Sequence, residues 1–200
     1  MATEDRYMSS HALRRVITGH DEEGRAIISL NGPPPTVVPL KAVPGTVFYE
    51  IWNTESTPAH IDNGPDPTLR PLQLRPPTRG SLIRVVDIPP DSAQNALSAD
   101  QAAQAFAEIG APHVGAKGDT PHRLMHRTET VDYGILVSGE LWLVVDRGEV
   151  HLKPGDIVVQ RGTNHAWSNR TDKAARIVFI LLDGKFSEEL KQPGATRTES

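Results

Sequence analysis

"HRTETVDYGILVSG" (residues 126–139) and "KPGDIVVQRGTNHAWSN" (residues 153–169) decide how this chain is read. In the first, His126, Thr128, Thr130 and Asp132 stand at every second position, and in a strand such residues share one face. A histidine and a carboxylate on one face can hold a metal, move protons, or satisfy each other. The glycines punctuate. Ser138-Gly139 ends one β-rich run, Pro154-Gly155 opens another, and Gly162 separates "DIVVQ" from "NHAWSN".

The same rhythm continues on both sides. "TVDYGILV" returns as "ELWLVVD", Arg147-Gly148 turns into "EVHL", and "AARIVFILLD" closes the set at Asp183. Short strands with a turn signal about every ten residues predict an all-β sandwich or barrel. Upstream, "GTVFYEIWNT" alternates, with Phe48, Glu50 and Trp52 expected on one side. "SLIRVVDIPP" reads as a strand stopped by two prolines. Glu55 to Gly80 is rich in Pro, Asp, Asn and Thr and reads as a long irregular loop. One helix is expected. Ser98 and Gln101 form a capping-box pattern, Ala102, Ala105, Phe106 and Ile109 make an apolar stripe, and Gly110 stops it. It is expected to pack on a sheet and to carry no chemistry.

Composition narrows the classes. The 200 residues include 21 Lys and Arg against 25 Asp and Glu, a formal charge of -4. That mild acidity argues against a nucleic-acid partner, which favours a basic stripe. There is no cysteine, which removes disulfides and thiolate chemistry and fits a reducing compartment. The start of the chain has no apolar signal-like run, and the longest apolar run, Ile177 to Leu182, has the length of a strand and not of a membrane span. The expectation is a soluble, cytoplasmic protein without a membrane partner. The 16 glycines and 17 prolines favour turns and short strands over long helices.

The two quoted stretches resemble the paired signature motifs of the cupin superfamily. His126 takes the place of the first motif histidine, Thr128 that of the second, Asp132 that of the glutamate, and Gly139 that of the glycine. Gly155, Gly162, His165 and Asn169 fit the second motif, with Gln160 in place of its proline. The resemblance implies a jelly-roll barrel whose motif side chains point into a cup. It divides the chain into an N-terminal extension with strands, long loop and one helix (1–110), a barrel core (111–186) and a flexible tail (187–200). The strands at Gly45 to Asn53 and Ser81 to Ile88 then complete the barrel or extend a dimer sheet.

The function the resemblance implies is a small-molecule enzyme of oxygenase-like or lyase-like chemistry, with a divalent metal (Fe, Mn, Ni or Zn) held by His126, Asp132 and His165. Two histidines and one carboxylate leave open positions on such an ion. Asp132 is shorter than the usual glutamate, and His122 is a candidate replacement nitrogen. The first alternative uses the same three residues without metal, as a dehydratase, decarboxylase or isomerase, with Thr128 hydrogen-bonding substrate. The second is a non-catalytic small-molecule binder. Gln160, Trp167 and Arg84 complete the candidate substrate-binding set. Trp167 walls the pocket or packs in the core. Arg84 meets a substrate carboxylate or lies exposed at an edge. Trp52 and Trp142 are expected in the core, Tyr133 outside the cup, Asn169 as a turn-tying residue and His151 in solvent. Uncovered sheet edges predict a homodimer.

Overall fold

The computed structural model describes residues 13–93, 97–115, 118 and 120–191. The expectation for the first dozen residues, and that for the tail beyond 191, lie outside them. The elements run β1 (Arg15–His20), β2 (Ala26–Gly32), β3 (Val37–Pro39), β4 (Val47–Thr54), β5 (Ser81–Ile88), α1 (Ala99–Glu108), β6 (Thr130–Ser138), β7 (Leu141–Val145), β8 (Gly148–Leu152), β9 (Ile157–Arg161), β10 (His165–Ser168) and β11 (Ala175–Asp183). The strands form a six-stranded sheet in the order β3-β4-β5-β11-β6-β9, a three-stranded sheet β10-β7-β8, and a separate hairpin β1-β2. Two facing antiparallel sheets with these crossovers make the expected jelly roll.

The turns explain why the strands fold back where they do. Gly139 has φ of +74°, and a Cβ there would lie 2.7 Å from the Ala175 Cα. Only glycine fits a left-handed turn pressed that closely on β11. Along β6, inward Thr130, Asp132 and Leu136 are buried while outward Tyr133 and Val137 are exposed, as a strand with one face on a core requires. Phe48, Val86, Leu136 and Ile177 of the large sheet meet Leu141 and Leu152 of the small one in a single apolar core. Burying each of these side chains contributes about 1.5–3 kcal/mol.

Of the two roles open to the early strands, completing the barrel is the one seen. β5 lies between β4 and β11 and pairs with β11 from Ser81↔Leu182 to Ile88↔Ala175. Residues on both sides of position 110 thus share one sheet. The face of β4, β5 and β11 turned away from the cup is also buried, as Val47, Tyr49 and Val85 pack with Leu13, Ile51 and Val178.

Two local readings change. The alternation of β4 breaks at a bulge between Glu50 and Trp52. Trp52 therefore pairs with Ile83, while Asn53 pairs with the fully buried Leu82. One extra residue flips every later side chain to the other face, so Trp52 leaves the core expected for it and is only half-buried. The helix starts as expected: Ser98 caps it with a complete capping box, and Gly110 follows with φ of +69°. Its apolar stripe, however, covers the mouth of the barrel.

Candidate functional site

The stretch from His126 to Asp132 is not one strand. His126 forms an isolated antiparallel bridge with His165, whereas β6 begins at Thr130 and pairs with β11 and β9. The chain crosses from the small sheet to the large one between the two residues. Because both sheets turn their inner faces to one cup, His126, Thr128 and Asp132 still line the same cavity. Thr130 does not line it, and its hydroxyl lies 2.8 Å from that of Thr128.

The bridge explains how histidines from two distant motifs meet. The His126 N–H donates to the His165 carbonyl and the His165 N–H to the His126 carbonyl, each at 2.9 Å. Directly opposed residues of such a pair bring their side chains together, and the two rings stand 4.4 Å apart, tilted by 47°. The His126 Nδ1 lies 3.0 Å from the Leu124 carbonyl, and the His165 Nδ1 lies 2.9 Å from the Thr163 carbonyl. A carbonyl only accepts, so the His126 Nδ1 carries the proton in the neutral ring and its Nε2 keeps its lone pair. The His165 Nδ1 also touches the Gln160 amide nitrogen, which only donates, so the Thr163 carbonyl alone does not fix that ring's tautomer.

Burial disfavours charge on both rings. It pulls the His126 pKa below its ordinary value and takes His165 down to about 3, with neighbouring His126 adding to the effect. Asp132 moves the other way. Burial raises its pKa to about 6, and the Thr130 hydroxyl and the Arg84 charge only partly offset this. Its Oδ1 is buried and has no hydrogen-bond partner. A buried carboxylate oxygen without a partner is costly, and at this position the cost falls where a ligand would sit.

The other candidates separate by role. Trp167 lines the cavity, with its ring 5.8 Å from that of His165 and 5.1 Å from that of Phe179. Gly134 makes room for it, since a Cβ there would meet the indole at 3.3 Å. Gln160 is buried but does not line the cavity. Its amide donates to the Thr163 carbonyl, accepts from the Thr163 hydroxyl and touches the His165 Nδ1. It positions the ring and does not face a substrate.

Arg84 is not at an edge: it lines the cavity wall, and its Nε has no hydrogen-bond partner. It is 1% exposed, lies 2.9 Å from Glu50 through Nε, and donates to the Gln73 carbonyl at 2.5 Å. His122 is not a spare ligand in the cup. It accepts from the Leu124 N–H and lies 3.8 Å from Asp91 in a second, polar pocket. Asn169 ties its turn, donating to the carbonyls of Ile88 and Lys173. His151, expected in solvent, stacks on half-buried Trp142 at 4.2 Å and pairs with Glu140 at 2.6 Å.

Among the described residues, no three His, Asp or Glu side chains gather closely enough to hold a metal ion. The carboxylate on the large sheet does not join the two imidazoles on the small one, and Thr128 stands where a further imidazole would help. The donor set as arranged does not fit a three-ligand centre at His126, Asp132 and His165.

The residues that sequence reasoning missed form the roof of the cup. Ala105 and Phe106 of α1 and the cap residue Ile109 line the cavity with Leu40 and Val43, and the Phe106 ring lies 5.4 Å from that of His126. The apolar stripe of α1 was visible, but nothing in its period says which surface it covers.

A barrel with paired histidines in its cup defines a class, and comparison with known proteins agrees. The cupin-domain family profile matches residues 112–181. Phomopsin biosynthesis cluster protein C' of Diaporthe leptostromiformis is 34% identical over 179 residues, spanning 86% of this chain and 78% of its own. Oryzines biosynthesis cluster protein J of Aspergillus oryzae is 32% identical over 180 residues, spanning 86% and 84%. A cupin-domain-containing oxidoreductase of Aspergillus ruber is 28% identical over 181 residues, spanning 84% and 71%. The chain belongs to the cupin superfamily. Among the described residues, no helix is long and apolar enough to cross a membrane.

Proposed function

We propose that this cupin is a small-molecule enzyme that moves protons within its cup, as a dehydratase, isomerase or decarboxylase does, without a resident metal. The observation that carries this reading is the orphan Oδ1 of Asp132, buried in the cavity shared with two neutral imidazoles. A carboxylate with a pKa of about 6 is matched to giving and taking protons near neutrality. His165, at about 3, is too weak a base to compete with it. The division of work follows: Asp132 carries the proton, the Nε2 of His126 accepts a hydrogen bond from the substrate, and the His165 ring beside it helps orient the bound molecule. Thr128 lines the wall between them. Relatives named for biosynthesis clusters support small-molecule chemistry. The oxidoreductase name belongs to the Aspergillus ruber relative.

One observation favours a metal. The His126 imidazole has its Nδ1 held by a backbone carbonyl and its Nε2 free, the way metal-binding histidines are commonly oriented. Solvent exchange separates the readings. Chelator-treated protein is incubated in D2O with a panel of small hydroxy and carbonyl compounds, and deuterium entering their C–H positions is read by mass spectrometry. We expect exchange in the stripped protein, reduced on the order of 100-fold in Asp132→Asn. Exchange that disappears on stripping and returns with Fe, Mn, Ni or Zn overturns the metal-free reading. Binding without exchange makes the cup a receptor.

We also propose a homodimer, supported by β2. This edge strand exposes Ile27 and Leu30 on one face and Ile28, 59% exposed, on the other, and such an edge invites pairing.

A further inference from the structure

His122 lies outside the cup, yet its ring is buried, with 8% of the side chain exposed. Its Nδ1 accepts the Leu124 N–H at 3.1 Å. The carbonyl of the same residue, Leu124, lies 3.0 Å from the His126 Nδ1. Leu124 therefore offers its donor to one ring and its acceptor to the other. A peptide N–H only donates, so the neutral His122 ring keeps its proton on Nε2. A carbonyl only accepts, so the neutral His126 ring keeps its proton on Nδ1. The two rings hold opposite tautomers, set from the two ends of one residue whose own side chain lines the cavity.

His122 also holds the next peptide. The Met125 N–H donates to the His122 carbonyl at 3.2 Å, and that N–H belongs to the same peptide group as the Leu124 carbonyl. With its N–H tied back to His122, the group points its oxygen at His126. The Thr120 hydroxyl donates to the same His122 carbonyl at 2.9 Å, and Met125 is fully buried against Val144 and Ala166. On the far side of the His122 ring, Nε2 lies 3.8 Å from Asp91, whose carboxylate is fixed by the Ser168 hydroxyl and the Asn169 N–H. The reversed tautomer would turn a lone pair toward that carboxylate and set the Nδ1 proton against the Leu124 N–H. Both contacts are unfavourable, and both are buried.

We propose that His122 is a positioning residue for His126: through Leu124 it holds the His126 ring with Nδ1 protonated and the Nε2 lone pair available to the cup. His122 itself touches no substrate. The proposal concerns the cup already described and rests on the proton-transfer reading only for its effect on exchange. It also gives a place to a residue that the sequence offered as a replacement ligand. The Nδ1 of His122 is spent on the Leu124 N–H and its Nε2 carries the proton, so the ring serves the cup from outside it.

Two variants separate the hydrogen bond from the bulk of the ring. His122→Asn keeps an acceptor, because an asparagine side-chain oxygen makes the same bond to the N–H two residues on. His122→Phe keeps a ring and removes the acceptor, and His122→Ala takes its place if the phenylalanine variant does not fold. The readout is the imidazole ¹⁵N spectrum of the full-length protein at about pH 8, where an ordinary imidazole is neutral. The parent and His122→Asn are expected to show His126 as the single Nδ1–H tautomer, and His122→Phe a mixture of the two. Deuterium exchange is expected to fall about tenfold in His122→Phe and to return in His122→Asn. An unchanged His126 tautomer in folded His122→Phe overturns the proposal. So does a mixture in both variants, which assigns His122 to packing alone. The result is separable from the proton-transfer reading. A tautomer shift in a protein that shows no exchange sinks the enzyme and keeps the positioning role, and exchange in the parent with the tautomer unmoved by His122→Phe does the reverse.

Discussion

Asp87 and Asp132 are the same residue on the same sheet, and both are almost wholly buried, at 1% and 7% exposure. Asp87 lies on the face of β5 turned away from the cup. There it receives both arms of Arg176, at 2.6 and 2.7 Å, and the Tyr49 hydroxyl at 3.0 Å. Asp132 lies on the cup face of β6 with Oδ1 unanswered. The first arrangement is closed. Every oxygen has a partner, and nothing is left for a ligand. The second is open, and it costs stability that a purely structural residue would have no reason to spend. Between these two aspartates, the satisfied one belongs to the scaffold and the orphaned one faces the cup.

The comparison can be broken from either side. The largest effect is expected on the closed side. Asp87→Ala leaves Arg176 buried without its main counter-charge, and urea unfolding should show a loss of about 3–5 kcal/mol. Deuterium exchange per folded molecule should stay at the parent level.

The open side predicts a gain. Asp132 has a folded pKa of about 6 against 3.8 when unconstrained. A raised acid contributes stability that is fully present below pH 3.8 and lost as pH rises through 6, about 3 kcal/mol in all. Asp132→Asn should therefore be more stable than the parent above pH 6, by up to that amount, and scarcely different below pH 3.8. Paired denaturation curves at pH 8 and pH 3.5 check this. His165 runs the opposite way: with a folded pKa of about 3 against 6.5, its contribution is present above pH 6.5 and lost as pH falls through 3.

Gln160 sharpens the comparison at smaller cost. Gln160→Ala removes the amide that brackets Thr163 and His165, and about 1 kcal/mol of stability should go with it. The informative readout is the imidazole ¹⁵N spectrum. It should show the ring nitrogens of His165 shifting while those of His126 are unmoved. Smallest of all, Ile28→Lys on the exposed arm should change stability by less than about 0.5 kcal/mol. In sedimentation it should turn the dimer into a monomer, and an unchanged dimer would remove β2 from the interface.

Much of this was legible before any coordinates. The glycine turns at 139, 155 and 162, the spacing of His126 and His165, and the capping box at Ser98 are local features, set by residues a few positions apart. What stayed hidden depends on contacts across the chain. Alternation over His126–Asp132 suggested one strand, but pairing with His165 draws its first residue into the other sheet. The parity of β4 failed because a single bulge residue, Ile51, carries no signature in sequence. Arg84 looked free because its partner Glu50 lies on the neighbouring strand, 34 positions away. The stripe on α1 was clear, but its target was the barrel mouth, so Phe106 could not be placed beside His126.

The most direct test of the account is the titration of the Asp132 carboxyl carbon by ¹³C NMR, in protein purified without chelator and compared with Asp132→Asn for assignment. The account predicts a midpoint near pH 6 in the protein as purified, unchanged after chelator treatment. A carboxylate already ionised below pH 4, returning to 6 only once metal is stripped away, would contradict it and put a cation in the cup.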